Sequence, residues 1–268
     1  MRLHPPMPSG PLQSGEPAAD GAVRLNRYLA RAGVASRRAS DELIRNGTVR
    51  VNGEVVSTPG VTVRPGIDRV EVDGRPALVP EGFEYVVLHK PVGCLVTRSD
   101  PGGRHTVYEC VPGLRAGTVA VGRLDLDTTG LLLLTDDGEL AFRLMHPRFG
   151  MGKRYEAVVL GRPDDEALDP LRRGVILDDG PTAPAVVELV RSWDTDHGWR
   201  SLVALEIHEG RKRQVRRMLR AVGHPVRELK RVAFAGMALD LPEPGQWRRL
   251  APDEARSLRQ RAGLPESG

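Results

Sequence analysis

The chain has 268 residues, is 40% hydrophobic and 28% charged, and carries a formal net charge of +4. These values are typical of a globular protein with one large domain, or with a medium-sized domain and a small one. The sequence contains no run of about 18 apolar residues, so it predicts no membrane span. Its two cysteines are too few for a disulfide scaffold. We therefore expect a protein of the reducing cytoplasm without a membrane partner.

The chain opens with a segment that differs in composition from the rest. Residues 1–22 are rich in proline, glycine and serine and lack the apolar core of a signal peptide, which predicts a disordered tail. Residues 23–80 then read as a compact unit. The pattern RLNRYLARAG predicts a helix that ends at Gly33, and Ser36 can cap a second helix that ends at Gly47. An Asn-Gly and an Asp-Gly dipeptide predict short hairpins after them.

Basic residues cluster in three segments, 24–38, 209–220 and 227–231, and such clusters favour a polyanionic partner. Solvated helix faces are the alternative explanation. Five arginines of the first segment are expected on one side of the helix pair: Arg24, Arg27, Arg31, Arg37 and Arg38. The pattern RLNRYLARAGVASRR, followed by VNG, resembles the S-four-like RNA-binding module. That resemblance implies that these arginines bind structured RNA.

A linker around residues 79–83 leads to a larger predicted domain, 84–250. Its elements are expected as strands at 85–91, 131–135, 153–160 and 201–210 and as helices at 139–146 and 212–223. Strands outnumber helices and do not alternate with them, which indicates an α+β fold with a mainly antiparallel sheet. Neither a dinucleotide-binding glycine motif nor a P-loop occurs. Residues 251–268 are expected to be a C-terminal tail that contains a short helix.

The stretch VGRLDLDTTGLLLLTDDGEL, residues 121–140, places several carboxylates around a buried strand. If residues 121–125 are extended, Arg123 and Asp125 point to the same side, where the cation keeps the carboxylate ionised. An ionised carboxylate can act as a nucleophile or a base at an electron-poor carbon. A helix cap, an Asx turn or a surface salt bridge would explain Asp125 as well. Asp127 stays unassigned, and the later Asp-Asp-Gly is expected to be a turn.

The basic segment EGRKRQVRRM suits phosphate contacts at the start of a helix. Val215 belongs to the apolar face of that helix, so Arg216 lies at the edge of the buried side. Three further arginines are expected to meet solvent or RNA: Arg213, Arg217 and Arg220. Tyr155, near the start of a predicted strand, is either a core residue or a platform on which an extruded base stacks. The histidines show no metal-ligand spacing, and no serine nucleophile elbow occurs.

Four segments, in this order, resemble the RsuA/RluB family of ribosomal RNA pseudouridine synthases: HKPVGCLVTRSDPGGRHTV, VGRLDLDTTGLLLLTDDGELAFRLMHP, KRYEAVV and EGRKRQVRRMLRAVGHPVRELKRV. That family also carries the small N-terminal module. The resemblance implies that Asp125 is the catalytic aspartate, that Tyr155 packs on the target base and that Arg216 pairs with the aspartate. It also implies that Arg123 lies near the space vacated by the flipped base and that the Lys-Pro dipeptide at 90–91 is structural.

The resemblance implies site-specific isomerisation of uridine to pseudouridine in ribosomal RNA, without a metal or other cofactor. The partner is then the rRNA or a ribosomal subunit assembly intermediate, and a monomer is expected. The segments DPGGRHTV and LMHPR favour large-subunit rRNA, whereas LDTTGLLLLTDDG fits a small-subunit enzyme as well. Two alternatives are a non-catalytic rRNA-binding assembly factor and a glycoside hydrolase that uses Asp125 and Asp127.

Overall fold

The computed structural model describes residues 21–265, in two units that divide after Pro80. Most of the predicted N-terminal tail, 1–22, lies outside the described residues. Its last residue, Ala22, is described and is buried. No helix in this described part of the chain is long and apolar enough to cross a membrane.

The first unit consists of two short helices and two small sheets. Its helices are α1 (Leu25–Arg31) and α2 (Arg37–Arg45), and its strands are β1 (Val23–Arg24), β2 (Val49–Val51), β3 (Glu54–Val56), β4 (Thr62–Val63), β5 (Val70–Val72) and β6 (Arg75–Pro76). β1 pairs with β4, and the other four strands form a sheet in the order β3-β2-β5-β6.

The helices, the helix cap and the tight turns predicted in this unit are all present in the structure. Leu25 of α1 and Ile44 of α2 are fully buried in one core. The Ser36 hydroxyl caps α2 by accepting a hydrogen bond from a backbone N–H at 3.3 Å. The loops Asn52-Gly53 and Asp73-Gly74 have positive φ at both positions, which is the backbone of a tight two-residue hairpin.

The second unit is built around a nine-stranded sheet. Its strands are β7 (Tyr85–Lys90), β8 (Val119–Ala120), β9 (Thr129–Thr135), β10 (Lys153–Leu160), β11 (Ile176–Leu177), β12 (Gly180–Pro181), β13 (Val186–Trp193), β14 (Arg200–Ile207), β15 (Val226–Phe234), β16 (Met237–Ala238) and β17 (Trp247–Arg249). Its helices are α3 (Gly138–Met145), α4 (Asp165–Arg173), α5 (Gln214–Ala221) and α6 (Pro252–Arg261), with a 3-10 turn at Pro147–Phe149.

The main path of the sheet runs β13-β14-β10-β15-β9-β7-β17, with β8 on β9 and β16 on β15, whereas β11 and β12 pair only with each other. Neighbouring strands are antiparallel except β9 and β15, which are parallel. The predicted α+β class with a mainly antiparallel sheet is therefore confirmed. Helices α4 and α5 pack on one face and α3 and α6 on the other. The leucines of β9 are fully buried because both faces are covered.

Strands β9 and β15 approach each other closely at Gly130, whose φ is +115°. A Cβ at this position would collide with the backbone of Arg231, the paired residue in β15. Arg231 is only 2% exposed, and its Nε donates a hydrogen bond to the carbonyl of Leu131 at 2.8 Å. The basic segment 227–231, expected to meet a polyanion, is thus part of a central strand, and its last arginine is a core residue.

The expectation of a tail from residue 251 does not hold for the described residues up to 265. Leu258 of α6 is fully buried in the core that α3 shares. Arg259 forms an ion pair with Asp137, which is 1% exposed. Asp137 also caps α3 by accepting two backbone hydrogen bonds at 3.2 and 3.0 Å, and it accepts one from the Tyr85 hydroxyl at 2.9 Å. The predicted Asp-Asp-Gly turn is therefore also a buried junction between helices.

Candidate active site

Asp125 lies in the loop between β8 and β9, and the extended segment expected over residues 121–125 does not form a strand. The Asp125 carbonyl accepts a hydrogen bond from the Thr128 N–H at 3.1 Å, which closes a turn over residues 125–128. Leu124 and Thr128, on either side, are 6% and 2% exposed. The turn uses the backbone of Asp125, so its carboxylate is not engaged as an Asx turn or a helix cap. That side chain is 35% exposed.

Lys90 lies beneath this turn and is completely buried. Its Nζ donates to the carbonyl of Thr128 at 3.0 Å and to the carbonyl of Pro91 at 2.8 Å. Burial lowers the pKa of the lysine, and nearby thiols together with Asp125 and Asp127 oppose that shift. The Lys-Pro dipeptide at 90–91 was expected to be structural. Through this contact, Lys90 ties the end of β7 to the turn.

Arg213, expected to meet solvent or RNA, is 43% exposed and also binds Asp127 with its guanidinium group at 2.9 and 2.8 Å. Its Nη1 also lies 4.0 Å from a carboxylate oxygen of Asp125. The hydrogen bonds from Arg213 hold the pKa of Asp127 below its usual value, against partial burial and with the help of the charge on Arg216. Arg213 has the uncommon φ of +51° and precedes the first residue of α5. The pair therefore fastens the turn to the start of that helix.

Arg216 also meets Asp127, although the resemblance implies a pair with Asp125. Its Nη2 donates to the Asp127 carbonyl at 2.7 Å and lies 3.4 Å from a carboxylate oxygen of the same residue. The side chain is buried, and burial lowers its pKa while the charge of Asp127 raises it. The close ion pair of Arg216 is therefore with Asp127, and the charge of Asp125 also raises the Arg216 pKa. Asp125 keeps its carboxylate partly exposed beside Arg213.

Tyr155 lies on the same face of the sheet as α5, within the core that Leu124 shares. In the sheet register it is opposite Arg231, which is opposite Gly130 near the start of β9. Tyr155 therefore lies two strands away from the start of β9, which directly follows the Asp125 turn. The residue is 8% exposed, so it is mainly a core residue with a small accessible part.

Of the three remaining predicted site residues in this unit, two are exposed and one forms ion pairs. Arg123 and Arg220 are exposed. Arg217 forms ion pairs with Asp178 and Asp179, two residues between β11 and β12. The structure therefore brings Asp125, Arg213 and Arg216 together and engages Arg217 in an interaction with the neighbouring hairpin.

The five arginines predicted to bind RNA in the first unit lie on β1, α1 and α2: Arg24, Arg27, Arg31, Arg37 and Arg38. The pKa of Arg37 lies below its usual value, because partial desolvation and then the positive charge of Arg27 disfavour the cation. The positive charge of Arg24 lowers it too, so Arg24, Arg27 and Arg37 are close together and form a cationic surface. Arg31 has an additional structural contact, since its Nη2 donates to the carbonyl of Pro80 at 3.0 Å.

Potential metal ligands do not gather in the described part of the chain. No group of three or more His, Cys, Asp or Glu side chains there has the arrangement of a metal site. Cys94 and Cys110 are free thiols whose sulfur atoms are 3.4 Å apart. Burial raises the pKa of the Cys110 thiol to about 12, so it is protonated at neutral pH.

Comparison with known proteins identifies the reaction class. Residues 84–221 match the family described as RNA pseudouridylate synthase, and residues 23–66 match the S4 domain. The chain belongs to the RNA pseudouridylate synthase family. The enzyme class and the N-terminal RNA-binding domain expected from the motifs are therefore confirmed.

Two relatives and one solved structure match this synthase over nearly their whole length. An Aquifex aeolicus protein named uncharacterized RNA pseudouridine synthase is 43% identical over 244 residues, which cover 90% of this chain and 96% of the relative. The ribosomal large subunit pseudouridine synthase B of Bacillus subtilis is 45% identical over 236 residues, which cover 88% and 95%. A crystal structure of a pseudouridylate synthase is 31% identical with a TM-score of 0.62, and the alignment covers 88% of this chain and 99% of that one.

Proposed function

We propose that this synthase converts a specific uridine of large-subunit ribosomal RNA to pseudouridine, with Asp125 as the reacting carboxylate. The observation that carries the proposal is the placement of a partly exposed carboxylate on an anchored turn beside Arg213. Support for the RNA class comes from the Bacillus subtilis relative, whose name assigns it to the large ribosomal subunit.

The isomerisation breaks the bond between ribose C1′ and uracil N1 and forms a bond between C1′ and C5, while a proton leaves C5 and another is gained at N1. No net oxidation or reduction occurs. Asp125 either attacks C1′ or removes a sugar proton to give a glycal intermediate, and both routes use the carboxylate in its charged form. Arg213 and the buried Lys90 complement that charge from two sides of the turn.

The target base has to leave its stack before the carboxylate reaches its ribose, at a cost of roughly a few kcal/mol. We assign the accessible part of Tyr155 to packing on the extruded uracil, which recovers about 1–3 kcal/mol. We assign Arg123, which is exposed in the same loop as Asp125, to the space that the base vacates. Arg216 then acts by holding the turn, since its contacts are with Asp127.

Asp127 argues against glycoside hydrolysis by a pair of carboxylates. A hydrolase needs one carboxyl group that donates a proton to the leaving group. Hydrogen bonds from Arg213 engage both oxygens of Asp127 and keep its pKa below its usual value, so Asp127 is neither a proton donor nor a free nucleophile. Only Asp125 is left with the freedom to react.

RNA binding is assigned to the cationic surface of the first unit together with exposed Arg220. Arg217 can contribute only if a phosphate competes with its two aspartates. Asp125, Tyr155 and Arg216 all lie within residues 81–268, so we propose that a monomer suffices. The compartment proposed is the cytoplasm, because the proposed rRNA substrate is found there.

The test is to map pseudouridines in both ribosomal RNAs of a strain that lacks the gene. One large-subunit uridine should remain unmodified, and the wild-type gene should restore its modification while the Asp125→Asn gene should not. A missing pseudouridine in small-subunit rRNA would refute the target. Unchanged modification of both RNAs would refute rRNA as the substrate and would favour a non-catalytic assembly role or another RNA.

A further inference from the structure

A group of exposed aromatic residues lies on the outer side of α3 and on the 3-10 turn that follows it. Leu144 of α3 is buried in the core, whereas Phe142 and Met145 are 40% and 46% exposed. Residues 146–148 are exposed as well. The core is filled from the opposite side of the helix, so folding of this unit does not account for so much apolar surface.

Three rings and one guanidinium form a compact surface, which we call the Phe142 cluster: Phe142, His146, Arg148 and Phe149. Ring centroids are 5.2 Å apart for Phe142 and His146, and 6.2 Å apart for the other two ring pairs. The Arg148 guanidinium lies 4.5 Å from the centroid of Phe149 and 5.6 Å from that of Phe142. The Arg148 cation therefore makes cation–π contacts with both rings at the protein surface.

The backbone around the Phe142 cluster is held in place. Gly150 ends the turn with a φ of 58°, and its carbonyl oxygen is 2.9 Å from Nδ1 of His208. Arg143, the neighbouring cation, is tied to the carbonyls of Ala262 and Gly263 at 3.1 and 2.7 Å. Arg148, by contrast, has no carboxylate partner within residues 21–265. The cluster therefore presents a positioned and uncompensated positive charge.

We propose that the Phe142 cluster binds a single-stranded segment of the RNA that carries the target uridine. Aromatic rings stack on any nucleobase, and an unpaired guanidinium matches a phosphate, so both parts of the cluster fit this ligand. Tyr155 follows Phe149 by six positions, which limits the distance between their Cα atoms to about 20 Å along an extended chain. Nucleotides near the target are therefore within reach. The inference rests on the proposed RNA substrate.

The experiment compares Phe142→Ser, Arg148→Ser and the double variant of the full-length protein on an unmodified large-subunit rRNA transcript. The control is Ile176→Ser, because Ile176 is 84% exposed in the same unit but lies outside the cluster. The double variant should raise Kd and KM about tenfold with kcat unchanged, since base stacking is lost. Arg148→Ser should reduce the slope of log Kd against log salt by about 0.7–0.9, the change for one phosphate contact.

Each alternative result has a distinct meaning. Unchanged Kd and salt slope would overturn the proposal. An effect seen with ribosomal subunit particles but not with the naked transcript would show that the cluster binds a protein, and a loss of self-association would show that it binds a second copy. Failure of the wild-type protein to modify the transcript would refute the proposed function, whereas the comparison of Kd values would still decide the role of the cluster.

Discussion

Arg213→Lys keeps a positive charge before α5 but removes the fork that grips both oxygens of Asp127. The two side chains are 43% and 45% exposed, so the screened pair contributes only about 0.5–1 kcal/mol to stability. The melting temperature should therefore fall by about 2–4 °C at most. The effect on kcat should be larger, because Asp127 shares its turn with Asp125 and a shift of about 1 Å in a reacting group can cost about 100-fold.

Single-turnover pseudouridine formation, with the enzyme in saturating excess over the RNA, measures positioning separately from RNA binding. Arg213→Lys should lower the rate about 10- to 100-fold with little change in KM. Asp127→Asn should lower it by a similar factor, and the double variant by no more than either single change, because both remove the same contact. A near-normal rate for Arg213→Lys, with tighter RNA binding by Asp127→Asn, would instead make Arg213 a phosphate ligand and refute this reasoning.

Three further predictions concern the fold. Gly130→Ala forces a Cβ against the β15 backbone and should lower the free energy of unfolding in urea by about 3 kcal/mol or more; a loss below 1 kcal/mol would contradict the close approach. Asp137→Ala leaves buried Arg259 unpaired and should cost about 3–5 kcal/mol in the same assay, so near-normal stability would contradict the junction. Burial raises the pKa of Glu84, but hydrogen bonds led by the one from the Arg115 N–H outweigh this effect, so the pKa lies below its usual value. The contribution of Glu84 to stability is therefore complete above the unfolded pKa of about 4.3 and is lost as the pH falls through the lower folded pKa. Glu84→Gln should make the melting temperature less dependent on pH below about pH 5.

Regular apolar patterns predicted the central elements well. β10 occupies residues 153–160 as expected, and the leucines of β9 form the buried strand that LLLLT indicates. Helix α6 was missed as part of the core, because PDEARSLRQR is almost entirely polar and Leu258 supplies the main apolar contact. A single buried leucine carries no periodic signal. The helix also forms an ion pair with Asp137, a residue distant in the sequence that no local pattern connects with it.

The sequence motifs named candidate site residues but not the pairs that these residues form. Motifs singled out Asp125, Arg216 and Tyr155, and the structure places the aspartate 4.0 Å from Arg213, which directly precedes α5. The partner of each arginine depends on the turn at 125–128 and on the positive φ of Arg213, neither of which a sequence pattern specifies. A sequence pattern likewise does not specify the contact between Lys90 and the same turn, because a buried ammonium group at the end of β7 meets a backbone carbonyl that is distant in the sequence.

Asp125→Asn provides the most direct test of the central claim, since it removes the charge of the reacting group with almost no change in shape. Purified wild-type and variant proteins should bind large-subunit rRNA with Kd values within about twofold of each other, because the substitution spares every proposed RNA contact. Only the wild-type protein should form pseudouridine. Turnover retained by the variant would contradict the assignment of Asp125 as the reacting carboxylate.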